Sequence, residues 1–254
     1  MNRFVAVLLA LAALPATADT VKAASALRLL EPSLRLENHK GDAPRVALTL
    51  DACSGKVDRR ILDILVRERI PATIFVTARW LKHNAEAVAL FKAHPDLFEI
   101  EDHGRDHIAA VDTVTTIYGV RSAGSPDGVT LEVGGGADAM RAAGLDRPHW
   151  FRGATAKYSA SAIALIEAMG YRVAGYSLNG DGGSLLGAKE TARRIAQAKD
   201  GDVIIAHINQ PGHAAGAGVA EGVMALKRRG FDFVLLRDAF EPSDGSGHSS
   251  ALTK

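Results

Sequence analysis

From Arg45 to Asp238 the chain alternates, about seven times, a short apolar run with a stretch of helical periodicity. Nothing else in the sequence narrows the fold so far. The apolar runs are RVALTLD (45–51), ATIFVT (72–77), DLFEIED (96–102), PHWFRG (148–153), YRVAGYSLN (171–179), DVIIAHI (202–208) and FDFVLLRD (231–238). Helical spacing covers 58–70, 78–94, 159–170, 188–201 and 214–230. In DRRILDILVRERI, for example, Ile61, Leu62, Leu65 and Val66 fall on one face. Strands that are apolar throughout are buried on both sides, and strand–helix alternation makes them parallel. The predicted fold is therefore α/β, a distorted (β/α) barrel of about seven parallel strands. A doubly wound open sheet is the main rival. Two segments fit the pattern less well. Residues 112–125 read as loop. Residues 127–143 set Val129, Val133, Ala137 and Met140 on one helical face, yet include Gly134, Gly135 and Gly136. Each glycine costs a helix about 1 kcal/mol.

The length of 254 residues suits one large domain. The opening MNRFVAVLLALAALPATAD has the form of a signal peptide. Arg3 precedes an apolar run from Phe4 to Leu14, and Ala16 and Ala18 flank Thr17 in a small-x-small cleavage pattern. That run is too short for a membrane span, which needs ~20 residues. The expected division is a signal peptide (1–18), a lead-in segment (19–44), the barrel (45–240) and a polar, disordered tail (241–254). The expected location is periplasmic or secreted, with no integral membrane segment after cleavage. The formal charge of +1 falls to neutral once Arg3 is removed, and no basic face is evident, so nucleic acid is not an expected partner. No protein partner is inferred. Cys53 is the only cysteine, which excludes an intrachain disulfide. With no Cys–His–Asn order it reads as a small buried side chain near the site rather than a nucleophile.

In parallel α/β folds, chemistry collects where strands deliver their C-terminal ends. Five ends carry ionisable groups: Asp51, His103, Arg152, Asp181 and His207, while the strand interiors are almost purely apolar. EDHGRDH supplies His103 and His107. It lacks the glutamate and helix of a zincin, but as a loop it can aim two imidazoles at one metal, and neutral imidazoles suit zinc and other borderline ions. His207, leaving an apolar strand, is expected across the mouth from Asp51 and is placed as a general acid. The triple glycine lacks the lysine of a phosphate cradle. Trp150 and Phe151 are core candidates that could also line a sugar site.

Taken in order, LTLDACSG, EDHGRDH, FRGATAKY, SLNGD and IIAHI resemble the successive motifs of the NodB-homology polysaccharide deacetylases, carbohydrate esterase family 4. The resemblance spans about residues 45–236. It implies a distorted (β/α) barrel, a divalent metal with zinc first among the choices, and removal of N-acetyl groups from amino sugars. By resemblance, Asp51 is the general base, His103 and His107 are metal ligands, Arg152 orients the base, Asp181 is the fourth motif's acid and His207 the general acid. Thr155 is expected to offer a backbone N–H to the oxyanion, and Asp181 to face substrate. The expected partner is a carbohydrate.

One departure matters most. Where the family has a second, metal-binding aspartate, this chain has Ala52, and a methyl group coordinates nothing. Three substitutes are open: Asp51 as third ligand, another carboxylate such as Asp102, or two histidines with waters. Asp51 near the metal, as ligand or as base, is the favoured expectation. The alternatives to N-deacetylation are a non-catalytic glycan-binding barrel and a hydrolase of O-acetyl esters or other C–N amides.

Overall fold

The computed structural model describes residues 28–37 and 41–240. The predicted signal peptide and tail lie outside the described residues. The strands are β1 (Arg45–Ala52), β2 (Ala72–Val76), β3 (Phe98–Asp102), β4 (Thr116–Ile117), β5 (Val120–Arg121), β6 (Trp150–Phe151), β7 (Arg172–Val173), β8 (Leu178–Asn179), β9 (Asp202–His207) and β10 (Asp232–Phe233). The helices are α1 (Arg59–Glu68), α2 (Ala78–Leu81), α3 (Ala85–Ala93), α4 (Pro126–Ala142), α5 (Ala160–Ala168), α6 (Ala188–Ala196), α7 (Ala215–Arg228) and α8 (Leu236–Phe240).

One sheet runs β7-β6-β3-β2-β1-β9-β8, with β10 added on β1, and every pairing in it is parallel. Its two ends, β7 and β8, are halves of the single chain run 172–179, so the sheet curls round on itself as a distorted (β/α) barrel. The open-sheet rival is thereby excluded. Pleating sorts the side chains. Val46, Leu48, Leu50 and Ala52 face the helices, while Ala47 packs inside the barrel with Phe75, Trp150, Ala174 and Val203. Leu236 of α8 joins that inner cluster, and the Leu236 N–H donates to Thr73 Oγ1 at 3.2 Å, closing the floor.

Three sequence expectations change, and one open segment resolves. The helix predicted over 78–94 breaks at Asn84, whose side-chain amide donates to the Trp80 and Gly55 carbonyls and accepts from the Val57 N–H. Residues 112–125 contain the small antiparallel hairpin β4–β5. The run 231–238 is only a two-residue strand before α8 begins. The glycine-rich segment is helical throughout as α4, started by Ser125 as N-cap with proline next. A Cβ on Gly136 would lie 2.0 Å from Asp102 Oδ1, so the glycine lets the helix approach the end of β3. Among the described residues no helix is long and apolar enough to cross a membrane.

Candidate active site

At the C-terminal end of β1 the pleat turns Asp51 inward and Ala52 toward the helix layer. Asp51 is buried, and its Oδ1 accepts from Arg152 Nη1 at 3.0 Å. Arg152, which follows β6, is wholly buried. Its Nη1 also reaches Thr49 Oγ1 at 2.8 Å, Nη2 donates to the Gly175 carbonyl at 3.0 Å, and the guanidinium lies 4.3 Å from the centre of the Phe75 ring. Burial raises the Asp51 pKa, but Arg152, His103 and His207 outweigh it and hold the carboxyl below its ordinary value.

His103 comes one residue after β3 and is buried. Its Nδ1 sits 2.5 Å from the Arg152 carbonyl oxygen. A carbonyl only accepts, so Nδ1 carries the proton and neutral His103 turns the Nε2 lone pair inward. Nε2 lies 3.8 Å from Asp51 Oδ2 and 3.4 Å from Cys53 Sγ. Burial disfavours charge on His103, yet Asp51 and Cys53 lift its pKa to about 9. Asp51 beside the ring thus favours positive charge at this point.

The loop to His107 is held by Glu132, a buried acid on α4 that sequence reasoning missed. Its carboxylate accepts from the backbone N–H groups of Asp106 and Ile108. A Cβ on Gly104 would lie 2.4 Å from Glu132 Oε1, and Gly104 has a φ of +90°, so glycine is required twice over. His107 itself has a φ of 58°. The signal for Glu132 was an acid placed beside Val129 and Val133 on the apolar face of a helix.

His103, His107 and Cys53 offer donor atoms that all lie within 4.8 Å of one another. Asp51, expected as a ligand, is not one of these three. Nor is Asp102, whose Oδ1 accepts from the Gly104 N–H at 2.8 Å and faces α4, and whose carboxyl burial holds well above its ordinary pKa. Cys53 was legible too: in a strand, positions 51 and 53 share a face and 52 opposes them. Burial pushes the Cys53 thiol pKa up, but the His103 charge and hydrogen bonds from His103, His107 and His207 bring it well below its ordinary value.

His207 is not across the mouth from Asp51. The two are in-register neighbours on β9 and β1. The other expectation to change is Asp181. Its oxygens accept from the His207 backbone N–H at 2.7 Å and lie 3.1 Å from His207 Nδ1. With Asp181 buried in this way, it faces the histidine rather than a substrate. Burial opposes charge on His207, but Asp181 holds its pKa well above the ordinary value. Thr155 sits in the tight turn after Arg152 with a φ of 71°, its hydroxyl buried and without a partner. Trp150 and Phe151 are core residues, not sugar platforms.

The profile described as polysaccharide deacetylase matches residues 38–174, more than half of the sequence. The chain belongs to the polysaccharide deacetylase family. With that family comes its enzyme class, hydrolases of carbon–nitrogen bonds other than peptide bonds. Asp181 and His207 lie beyond the matched residues, so their place in the site rests on geometry. Among solved structures, the fold is similar to PdaA of Bacillus subtilis, a family 4 carbohydrate esterase (20% identity, TM-score 0.63, covering 82% of this chain and 84% of that one). It is similar to a family 4 carbohydrate esterase from Streptomyces lividans in complex with acetate (17%, TM-score 0.59, covering 75% and 91%). It is also similar to a family 4 pseudoenzyme of Bacillus anthracis (17%, TM-score 0.60, covering 79% and 66%). No curated protein sequence matches the chain.

Proposed function

We propose that this polysaccharide deacetylase removes N-acetyl groups from an amino-sugar glycan with the help of a divalent metal held by His103 and His107. One observation carries the reading: a buried carboxylate, Asp51, and a carboxylate-supported imidazole, His207, are neighbours on adjacent strands beside paired imidazoles. The donor set fits a metal, because His103 commits Nδ1 to a carbonyl and turns Nε2 toward Cys53 within a compact, largely buried cluster. Such an ion supplies Lewis acidity toward the acetyl carbonyl and acidifies water.

The chain's own residues do the rest. Arg152 keeps Asp51 ionised and aimed, so Asp51 takes the proton of the attacking water. Asp181 holds a proton on His207 Nδ1 and favours the charged ring, so Nε2–H can be given to the leaving amine, which departs poorly as an anion. To a backbone N–H of the turn at Thr155, where φ is 71°, we assign the stabilisation of the oxyanion. The signal-like residues 1–18 support export to the periplasm or beyond, where such glycans lie, and a mature N-terminus near Asp19 would check it.

Acetate release from N-acetylated chito-oligosaccharides tests the function. Asp51→Asn and His207→Ala should each lower it by about 10²–10⁴-fold in protein that is still folded at the assay temperature, His207→Ala melting near the parent and Asp51→Asn below it because Arg152 loses its partner. Full activity in either variant removes the assigned role. Likeness to the pseudoenzyme, together with Ala52, keeps a second reading in play: a parent that binds the oligosaccharide and releases no acetate is a glycan-binding barrel. Release from O-acetyl esters alone would make the bond an ester.

A further inference from the structure

The family's usual carboxylate ligand is missing at Ala52, whose methyl packs into the helix-facing core. One residue on, the pleat returns the chain to the site and delivers Cys53, buried, with Sγ 3.4 Å from His103 Nε2. We propose that Cys53 is the third protein ligand of the metal, bound as thiolate, so that the centre is Cys53–His103–His107; this rests on the metal-dependent reading above. Three facts of geometry support it. The three donors lie within 4.8 Å of one another. Zinc bonds of about 2.3 Å to sulfur and about 2.0–2.1 Å to nitrogen set the two ligand atoms about 3.5 Å apart in a tetrahedron, close to the 3.4 Å between Sγ and Nε2. His103 Nδ1 is anchored on the Arg152 carbonyl, the outer support that metal-bound imidazoles commonly have.

The proposal settles how the chain manages without a second aspartate. A thiolate restores the negative charge that Ala52 removes, so the charge around the cation is unchanged. Asp51 is then free to stay on Arg152 and serve as base without also coordinating. Sulfur changes the choice of metal. A thiolate with two imidazoles selects zinc, and cobalt as its spectroscopic stand-in, over the hard ions magnesium, calcium and manganese. The open fourth position is the one a catalytic zinc site keeps for water or substrate.

X-ray absorption on the full-length, zinc-loaded protein reads the ligands directly. One sulfur scatterer at about 2.3 Å is expected; a first shell of nitrogen and oxygen alone overturns the proposal and leaves the metal-dependent reading standing. Titration of metal-free protein with cobalt(II) should raise a sulfur-to-metal charge-transfer band in the near ultraviolet. Cys53→Ser should lose that band and bind zinc at least about 10-fold more weakly. Cys53→Asp should bind metal without the band and accept manganese more readily. If Cys53→Ser binds zinc as tightly as the parent, the thiolate is not a ligand. If the parent holds zinc through sulfur but releases no acetate, the ligand assignment stands and the deacetylase reading falls. If stringently metal-free protein deacetylates at the full rate, the metal-dependent reading falls, and Cys53 with it.

Discussion

At the scale of single residues, the site is organised by one buried cation, Arg152. It binds Asp51, Thr49 and two backbone carbonyls at once, and its own carbonyl fixes the His103 tautomer. Breaking a buried ion pair from one side leaves an unpaired charge and costs about 3–5 kcal/mol. Arg152→Met should therefore lower unfolding free energy by about that much in urea melts. Adding Asp51→Asn should recover part of the loss, because the stranded carboxylate is gone; a double variant as unstable as the sum of the singles would show that the two do not interact. Asp51, Arg152 and His207 were legible because apolar strands end on them. Cys53 was read as a small buried side chain near the site, which it is, but not as a neighbour of His103 and His107, because the missing aspartate drew attention to position 52 whereas the two-residue period of a strand pairs 51 with 53. The partner of Asp181 could not be read, since which neighbouring strand a loop carboxylate turns to depends on the folded ring.

Among the elements, α4 shows what local propensity leaves out. Three glycines in a row argue against a helix, yet each sits at a different kind of place. A Cβ on Gly136 would meet Asp102 Oδ1 at 2.0 Å and the Gly104 backbone at 2.9 Å, whereas Gly134 has nothing within 4 Å. Gly136→Ala should thus destabilise by about 1–3 kcal/mol through overpacking. Gly134→Ala should stabilise by about 0.5–1 kcal/mol through helix propensity. Thermal melts of the two variants would give shifts of opposite sign; a stabilising Gly136→Ala would mean the helix has room to retreat. Periodicity placed the elements because most of them bury one face. It erred where tertiary contacts decide: Asn84, at the break between α2 and α3, turns its side chain to latch the loop after β1, and Leu236 and Arg237 abandon a strand to donate their N–H groups into the barrel floor.

On the scale of the whole molecule, the barrel interior is not uniformly apolar. Glu99 and Glu101, two apart on β3, are both buried. Glu99 accepts from Thr73 and the Arg237 N–H, and Glu101 from the His149 and Trp150 N–H groups. Burial raises both carboxyls, and with the charge of Glu99 added it takes Glu101 up to about 9. The folded pair then holds protons that the unfolded chain, with ordinary carboxyls near 4.5, has released. Its contribution to stability is full below roughly pH 4.5 and is lost as pH rises toward about 9. Glu99→Gln keeps an acceptor but not the charge. Its melting temperature should gain on the parent's steadily from roughly pH 5 to 9; a constant difference between the two would mean the pair is ionised throughout. The alternation of strands and helices made the barrel legible, but its closure was not. One chain run, 172–179, serves as both ends of the sheet, and a sequence shows no seam.

That seam has a further consequence. Between β7 and β8 the segment 28–37 lies alongside: the Leu34 N–H reaches the Tyr176 carbonyl, Leu30 bridges Tyr158, Arg35 pairs with Asp202, and Pro32 comes so near Gly175 that a methyl there would strike its carbonyl. The barrel borrows its last stave from upstream of its own first strand. A chain trimmed to begin at residue 38, where the family likeness starts, would leave a slot in the wall, opening at the two carbonyls on which the guanidinium rests.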